Sequence, residues 1–273
     1  MRRRNTLISA IRRTTVTAAV FATLAGGLVG CGQGTGESAA PGPAGTSTAP
    51  NPKETLLAAV PDETRPGFSY TIRDWETTLT GEVAPAVKSI HLRTSFKDPE
   101  LGFTMHMAYL TVDKEAWARI NFTETEGLTG LPKLPNKWMR LDPTKLTDDD
   151  SLPTEYDGAD VASLKPVLAN TTIVQSASGN YRGTVDLSGP AAADILSEET
   201  IAGIGDGAKT LPFQATVDVD GRLTTFVVKV PAVGKTKAYD YSVTYGDYGK
   251  APAVAAPTDA VPAPALAYEL LNG

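Results

Sequence analysis

The sequence feature that most constrains the fold is an alternation of apolar and polar residues around a two-residue loop at Asp113-Lys114. Side chains alternate between the two faces of a β-strand, and directly opposed residues of an antiparallel pair share a face. One face of the predicted hairpin therefore carries Met105, Met107, Tyr109, Ala118, Ile120 and Phe122, whereas the other carries His106, Leu110, Trp117, Arg119 and Asn121. One mostly apolar and one mostly polar face is typical of an antiparallel sheet covered on one side.

A second hairpin is predicted around Asp220-Gly221, a dipeptide that favours two-residue turns. Its apolar face is expected to contain Phe213, Ala215, Val217 and Val219 before the turn, and Thr224, Phe226, Val228 and Val230 after it. Because both hairpins have one apolar and one polar face, both are predicted to belong to an antiparallel sheet that is covered on one side.

Further alternating stretches bring the prediction to about ten strands. The first is expected to start at Phe68 and to resume after a bulge near Asp74, with a turn from Gly81 to Pro85. Helix signals are few and cover residues 53–60, 158–169 and 190–204, with Ser188 as a possible cap of the third.

The predicted fold class is α+β. The shape of the sheet can be estimated by comparing its width with the thickness of the helices that would cover it. Ten strands about 4.8 Å apart make a sheet roughly 48 Å wide, whereas each short helix is only about 10 Å thick. We therefore expect a strongly curved antiparallel half-barrel of about ten strands that clasps two to three short helices over a hydrophobic cavity.

The expected cavity wall consists of apolar residues of the two hairpins and their neighbours, among which methionine adapts to variable shapes. The side chains predicted to line it are Phe103, Met105, Met107, Ile120, Phe122, Phe213, Val217, Phe226, Val228 and Tyr241. The sequence leaves open the alternative that these residues form an ordinary packed core.

The N-terminus predicts a membrane-anchored lipoprotein. Five arginines precede or flank the start of an uncharged run that ends in Leu28-Val29-Gly30-Cys31, which is typical of a secretory signal with a lipobox and an acylated cysteine. An ordinary signal peptide with an incidental cysteine is the alternative, and export by the Sec or the twin-arginine route stays open. The predicted organisation is a signal peptide (1–30), the lipidated Cys31 with a disordered tether (31–52), a half-barrel domain (53–252) and an Ala/Pro-rich tail (253–273).

Charge limits the possible partners. Residues 1–30 contain five of the 25 basic residues and no acidic ones, so the mature chain keeps 20 basic and 31 acidic residues and a net charge of −11. A charge of this sign disfavours nucleic acid or an anionic membrane surface as a partner.

No catalytic or metal-binding pattern is found. The two histidines, His91 and His106, fall on polar strand faces and are expected to be solvated. The chain has neither a Gly-x-Ser-x-Gly nor a His-Glu-x-x-His motif. The run of three aspartates at 148–150 lacks the glycine and the distal glutamate of a calcium loop. We therefore expect no enzyme activity, no metal and no cofactor.

Four segments resemble the LolA/LppX-like (LppX/LprG-type) lipoprotein family of actinobacteria, and the resemblance covers residues 54–257. The segments are KWMRLDP (137–143), YRGTVDL (181–187), VDGRL (219–223) and VTYGDYG (243–249). The resemblance implies a half-barrel over a hydrophobic pocket that carries lipids or lipoproteins across the cell envelope, and it offers no catalytic residue.

The predicted function is a membrane-anchored lipoprotein, on the extracytoplasmic side of a bacterial cell membrane, that carries a lipid or other hydrophobic molecule. The alternative is an envelope sensor or protein-interaction module on the same scaffold. Leu110 and Trp117, which are apolar residues on the otherwise polar face, would mark its partner surface.

Overall fold

The computed structural model describes residues 51–146 and 152–272. These residues form four α-helices, besides short 3₁₀ turns: α1 (Pro52–Ala59), α2 (Leu164–Ala169), α3 (Glu198–Ile204) and α4 (Ala265–Leu271). They also form twelve strands: β1 (Phe68–Arg73), β2 (Thr78–Ala84), β3 (Ser89–Lys97), β4 (Thr104–Val112), β5 (Glu115–Thr123), β6 (Met139–Arg140), β7 (Thr171–Ala177), β8 (Asn180–Val185), β9 (Leu211–Val217), β10 (Leu223–Val230), β11 (Tyr239–Gly246) and β12 (Val261–Pro262).

All twelve strands belong to one sheet, in the order β12-β6-β5-β4-β3-β2-β1-β11-β10-β9-β8-β7. Every described pair is antiparallel except β12 with β6. The sheet is curved and does not close, because its edge strands β12 and β7 do not pair with each other. The predicted α+β class with a curved antiparallel sheet and few short helices is therefore confirmed.

The register of the first predicted hairpin is confirmed residue by residue. In the β4–β5 pair, Met105 lies opposite Phe122, Met107 opposite Ile120 and Tyr109 opposite Ala118. Val112 pairs with Glu115, so that Asp113 and Lys114 form the loop. The face bearing these apolar residues is called the inner face below, and the opposite one the outer face.

The second hairpin has its strands in the predicted places but a different turn. The β9–β10 register shifts between Leu223 and Thr225, so Leu223 rather than Thr224 pairs with Val217. Asp218 closes the turn, since its Oδ1 accepts hydrogen bonds from the backbone N–H groups of Asp220 and Arg222. Val219 was predicted to lie on the apolar face, but it is at the tip of this turn and is fully exposed.

The first predicted strand is in fact two strands. The carboxylate of Asp74 accepts hydrogen bonds from the N–H groups of Glu76 and Thr77, which makes a hairpin turn where a bulge was expected. Gly81, predicted to start a turn, lies instead in the middle of β2 opposite Tyr70 and Leu92. This division, together with β12, raises the strand number from about ten to twelve among the described residues.

The helices are shorter than predicted, except for α1. Asn51 caps α1 by accepting a hydrogen bond from the N–H of Lys53, close to the predicted start. The helix expected over 158–169 forms only from Leu164 onward, where the Asp160 carboxylate accepts bonds from the first N–H groups. Of the helix expected over 190–204, only α3 forms as an α-helix. Ser197, and not the predicted Ser188, caps α3 by accepting a hydrogen bond from the N–H of Thr200.

Residues 253–273, predicted to be a tail, contain β12 and α4, which belong to the fold. Val261 of β12 pairs with Met139 of β6. Tyr268 and Leu271 of α4 are buried in the same core as the sheet, and Tyr268 Oη accepts a hydrogen bond from the N–H of Asp142. The folded domain therefore extends beyond the predicted boundary at residue 252.

One hydrophobic core lies against the inner face. Besides the helices, two largely irregular segments fill it. The segment before α2 contributes Leu152 and Ala159, and the segment between β8 and α3 contributes Leu187 and Leu196. From the widths of the sheet and the helices, helices alone were expected to fill the half-barrel. Irregular segments supply much of that filling instead, because short turns that satisfy their own backbone groups can also bury apolar side chains.

Candidate hydrophobic-ligand site

A pocket of about 630 Å³ lies between the end of β5 and the loop that follows it. The residues that line it are Ile120, Asn121, Phe122, Thr125, Leu128, Thr129, Gly130, Leu131, Pro132, Lys133 and Leu134. It opens at the end of the sheet where β1, β3 and β5 end and β2 and β4 begin, which is called the pocket end below. Its volume falls within the range of roughly 300–1,000 Å³ that is usual for small-molecule sites.

The local sequence explains why the chain leaves the sheet here. Gly127 and Gly130 have φ values of 78° and 86°, which glycine adopts without a steric cost, so the chain turns sharply twice. Pro132 lacks an N–H group and cannot continue a strand ladder. The loop is held at its base by Glu124, whose carboxylate accepts a 2.7 Å hydrogen bond from the hydroxyl of Thr104. The loop therefore folds back over β5.

Four of the ten residues predicted to line a cavity are gathered at this pocket. Ile120 and Phe122 line it directly. Met105 lies opposite Phe122 in the β4–β5 ladder, and the ring of Phe103 makes an edge contact with Phe122 at a centroid distance of 5.8 Å. Phe103, Met105 and Phe122 are only partly buried, so this part of the inner face can still accept apolar surface.

The other six predicted residues do not line this pocket, although Met107 lies opposite Ile120 in the β4–β5 ladder. Met107, Phe213, Val217, Phe226, Val228 and Tyr241 are all buried in the core cluster. There they pack against the protein's own side chains, as in the 5.8 Å ring contact between Phe213 and Phe226. This packing matches the alternative interpretation of ordinary core.

Sequence reasoning missed the loop side of the pocket. Leu128, Leu131 and Leu134 contribute three partly buried apolar side chains from a segment with no strand or helix pattern. The available signal was their density, since such a connection between two strands is normally polar.

A second, smaller pocket of about 330 Å³ lies on the strands at the other side of the sheet. Its lining includes Gln175, Arg182, Gln214 and Lys229, which are side chains of the polar outer face. Of the predicted cavity residues it contains only Phe213. This pocket is therefore a groove on the outer face of the sheet.

The interior offers hydroxyl groups but no charge from its tyrosines. Burial raises the pKa of Tyr109, Tyr241 and Tyr245, and burial together with the charge of Asp74 raises the pKa of Tyr239 to about 12. All four are therefore neutral at physiological pH. The hydroxyl of Tyr245 is buried and makes no hydrogen bond within the part of the chain that the structure describes.

The prediction of a solvated His91 is wrong. His91 is buried on the outer face, where its Nδ1 lies 3.0 Å from Oε2 of Glu82 and its ring lies 5.8 Å from that of Trp138. Arg93 forms an ion pair with the same Glu82. Burial and the charge of Arg93 lower the pKa of His91, although Glu82 opposes this effect.

His106 is partly exposed, as predicted for the polar face, and its ring nitrogens lie 2.8 Å from Ser95 Oγ and 2.9 Å from Thr123 Oγ1. Within residues 51–146 and 152–272, no group of three or more His, Cys, Asp or Glu side chains could hold a metal ion. Cys31, the predicted signal and nearly all of the predicted tether, as well as the run of three aspartates at 148–150, lie outside the described residues.

Leu110 and Trp117 do lie on the outer face, but both are buried, with exposed fractions of 0% and 3%. They pair with each other across β4 and β5. They therefore cannot supply the exposed partner surface that the alternative function required of them.

None of the helices in the described part of the chain is long and apolar enough to span a bilayer. No protein-family model matches the chain, and comparison with curated proteins also finds no match.

Proposed function

We propose that this protein is a membrane-anchored lipoprotein that binds a lipid or other hydrophobic molecule at the pocket end of a LolA-like half-barrel and carries it. The observation that supports the proposal most directly is the pocket of about 630 Å³ between Phe122 and the leucine-rich loop. It is bordered by inner-face side chains that are not fully covered.

Binding would rest mainly on burial of alkyl groups against Phe122 and the leucines of the loop, although the lining also contains polar residues such as Asn121 and Thr125. Each methylene moved from water into an apolar site contributes about 0.8 kcal/mol, so ten methylenes contribute about 8 kcal/mol. This free energy corresponds to a Kd of about 1 µM, before the entropic cost of ordering the ligand and the pocket side chains is subtracted. No covalent step is needed, and the cargo can be released by moving the loop.

The anchor in this proposal is an acyl chain on Cys31. Its test is incorporation of labelled palmitate in a lipoprotein-processing bacterial host. Wild-type protein should carry the label and remain with membranes, whereas Cys31→Ala should lose both properties. Label that persists in Cys31→Ala would contradict anchoring at this residue.

The carrier function is tested with the mature chain purified from a lipid-rich host. Native mass spectrometry and lipid extraction should find bound lipid, and titration with a fluorescent fatty acid should saturate. Leu131→Asp places a charge in the pocket on a loop outside the sheet, so it should weaken uptake by about tenfold or more while the fold is kept.

Val219→Asp is the matched control, because it adds the same charge at a fully exposed apolar residue of a distant turn. It should leave uptake unchanged. Wild-type protein that is always empty and takes up no fatty acid would refute the carrier function, and equal losses in the two variants would refute the pocket. The protein-interaction alternative stays a prediction from the sequence, since the two residues that suggested it are buried.

A further inference from the structure

Large apolar side chains are exposed at the tips of two neighbouring turns of the pocket end. Trp75, in the turn between β1 and β2, is 51% exposed, and Leu101, in the turn between β3 and β4, is 58% exposed. Large apolar residues exposed at neighbouring positions mark contact surfaces more often than isolated ones do. The indole of tryptophan is amphipathic and favours the boundary between lipid and water.

The two turns and the pocket lie in one row. In an antiparallel meander, alternate turns fall at the same end of the sheet, so the turns after β1 and β3 and the loop after β5 are neighbours there. Each is two strands from the next, which is roughly 10 Å. Trp75, Leu101 and the loop residues Leu128 and Leu131 therefore lie in a row along the pocket end, and these four residues are called the rim below.

The described part of the chain begins at this same end. Lys53, at the start of α1, donates hydrogen bonds from its Nζ to the carbonyl oxygens of Ala169 and Thr171, next to the start of β7. The register from β7 through β11 to β1 places the start of β7 at the pocket end. The tether predicted from the sequence between Cys31 and Asn51 would span roughly 25 Å, so an anchored Cys31 would keep the rim within reach of the bilayer.

The charges near the rim are mostly acidic and disfavour anionic lipid. Arg73 and Lys97 flank the two turns. The turns and the loop after β5 contain six acidic residues: Asp74, Glu76, Asp98, Glu100, Glu124 and Glu126. Lys97 is also paired with Glu124 at 3.2 Å. Contact with a neutral bilayer would therefore depend on apolar insertion.

From these observations we propose that the rim docks into the surface of the bilayer that carries the anchor, with Trp75 and Leu101 inserted at the level of the lipid headgroups. This inference rests on the proposed anchored carrier function and adds to it the route of the cargo. The pocket would face the bilayer directly, so an alkyl chain could pass between them with little exposure to water.

The test uses the mature chain from residue 31 with Cys31→Ser, which contains every described residue and carries no acyl chain. Flotation with neutral phosphatidylcholine vesicles measures binding, and brominated phosphatidylcholine measures insertion through quenching of Trp75. The other two tryptophans, Trp117 and Trp138, are buried and partly buried on the outer face, so Trp75→Phe should remove most of the quenching.

The double variant Trp75→Ser/Leu101→Ser should lower the vesicle partition coefficient by at least about tenfold, because it removes two large apolar side chains from the contact. The matched control is Val87→Ser/Val219→Ser, which changes two apolar residues that are 51% and 101% exposed at the opposite end of the sheet. It should bind vesicles as well as the parent chain does. Circular dichroism checks that both pairs are folded.

Uptake of a fluorescent fatty acid from solution separates this inference from the carrier function. Loss of vesicle binding with retained uptake in the rim variant supports docking by the rim. Vesicle binding and quenching through Trp75 without any uptake supports docking but refutes the carrier function. Absence of vesicle binding by the parent chain, or an equal loss in the control pair, overturns the docking inference whatever the uptake.

Discussion

Replacing Gly81 by alanine should strongly destabilise the protein, because the middle of β2 has no room for a Cβ atom. An ideal Cβ at this position would lie 1.9 Å from the carbonyl oxygen of His91 and 2.7 Å from Cζ and Oη of Tyr70. Real Cβ contacts are essentially never shorter than 3.0 Å. The His91 oxygen is a backbone atom of β3, so it can move only if the paired strands separate.

Two costs add in this variant. Tyr70 Oη donates a buried 3.3 Å hydrogen bond to the His91 oxygen across Gly81, and its loss costs about 1 kcal/mol. Overpacking of a well-filled core costs a further 1–3 kcal/mol or so. The free energy of unfolding should therefore fall by about 2–4 kcal/mol, which lowers Tm by about 5–15 °C for a domain of this size.

Urea unfolding followed by circular dichroism measures the effect, and Gly189→Ala is the matched control. Gly189 has no atom within 4 Å of an added Cβ, and its φ of −101° suits any residue. The control should change stability by less than about 0.5 kcal/mol. If Gly81→Ala proved as stable as Gly189→Ala, the register of β1, β2 and β3 around Tyr70 would be wrong.

Two further predictions concern His91 and the C-terminal helix. Because the folded protein lowers the pKa of His91, the unfolded chain binds a proton first as the pH falls below about 6.5, so up to about 1.4 kcal/mol of stability is lost by pH 5.5. His91→Gln should reduce this loss between pH 7.5 and 5.5 in urea unfolding, and an unchanged pH dependence would argue against a buried neutral His91. Leu271→Ala should lower the free energy of unfolding by about 2–4 kcal/mol because Leu271 is buried in the core, whereas the exposed Glu269→Ala should have little effect. Equal effects of the two substitutions would contradict the docking of α4.

The β4–β5 hairpin shows what could be predicted well. Its register follows from the alternation alone, because a shift by one residue would move Met107 and Ile120 from the inner to the outer face. Where a local polar group competes with the ladder, the same reasoning fails. Asp74 makes a turn through its own side-chain hydrogen bonds, and a register shift replaces Thr224 by Leu223 on the inner face.

The candidate site was predictable only in part. Ile120 and Phe122 follow from the strand pattern, and the structure brings both to the pocket. Leu128, Leu131 and Leu134 could not be placed, since a loop has no period that assigns its side chains to a face. The exposure of Trp75 likewise follows from the turn that Asp74 makes where a continuing strand was expected.

By itself the sequence determined the faces of the main strands, the scarcity of helix and the α+β class, because these depend on side-chain period and local propensity. Tertiary structure alone decided that β12 and α4 join the fold, that Leu110, Trp117 and His91 are buried, and that the β5 loop covers a pocket. These features arise from contacts between residues far apart in the chain, such as the 2.7 Å bond from Asp142 to Tyr268. No local pattern encodes such contacts, since their free energy appears only when the curved sheet brings the two segments together.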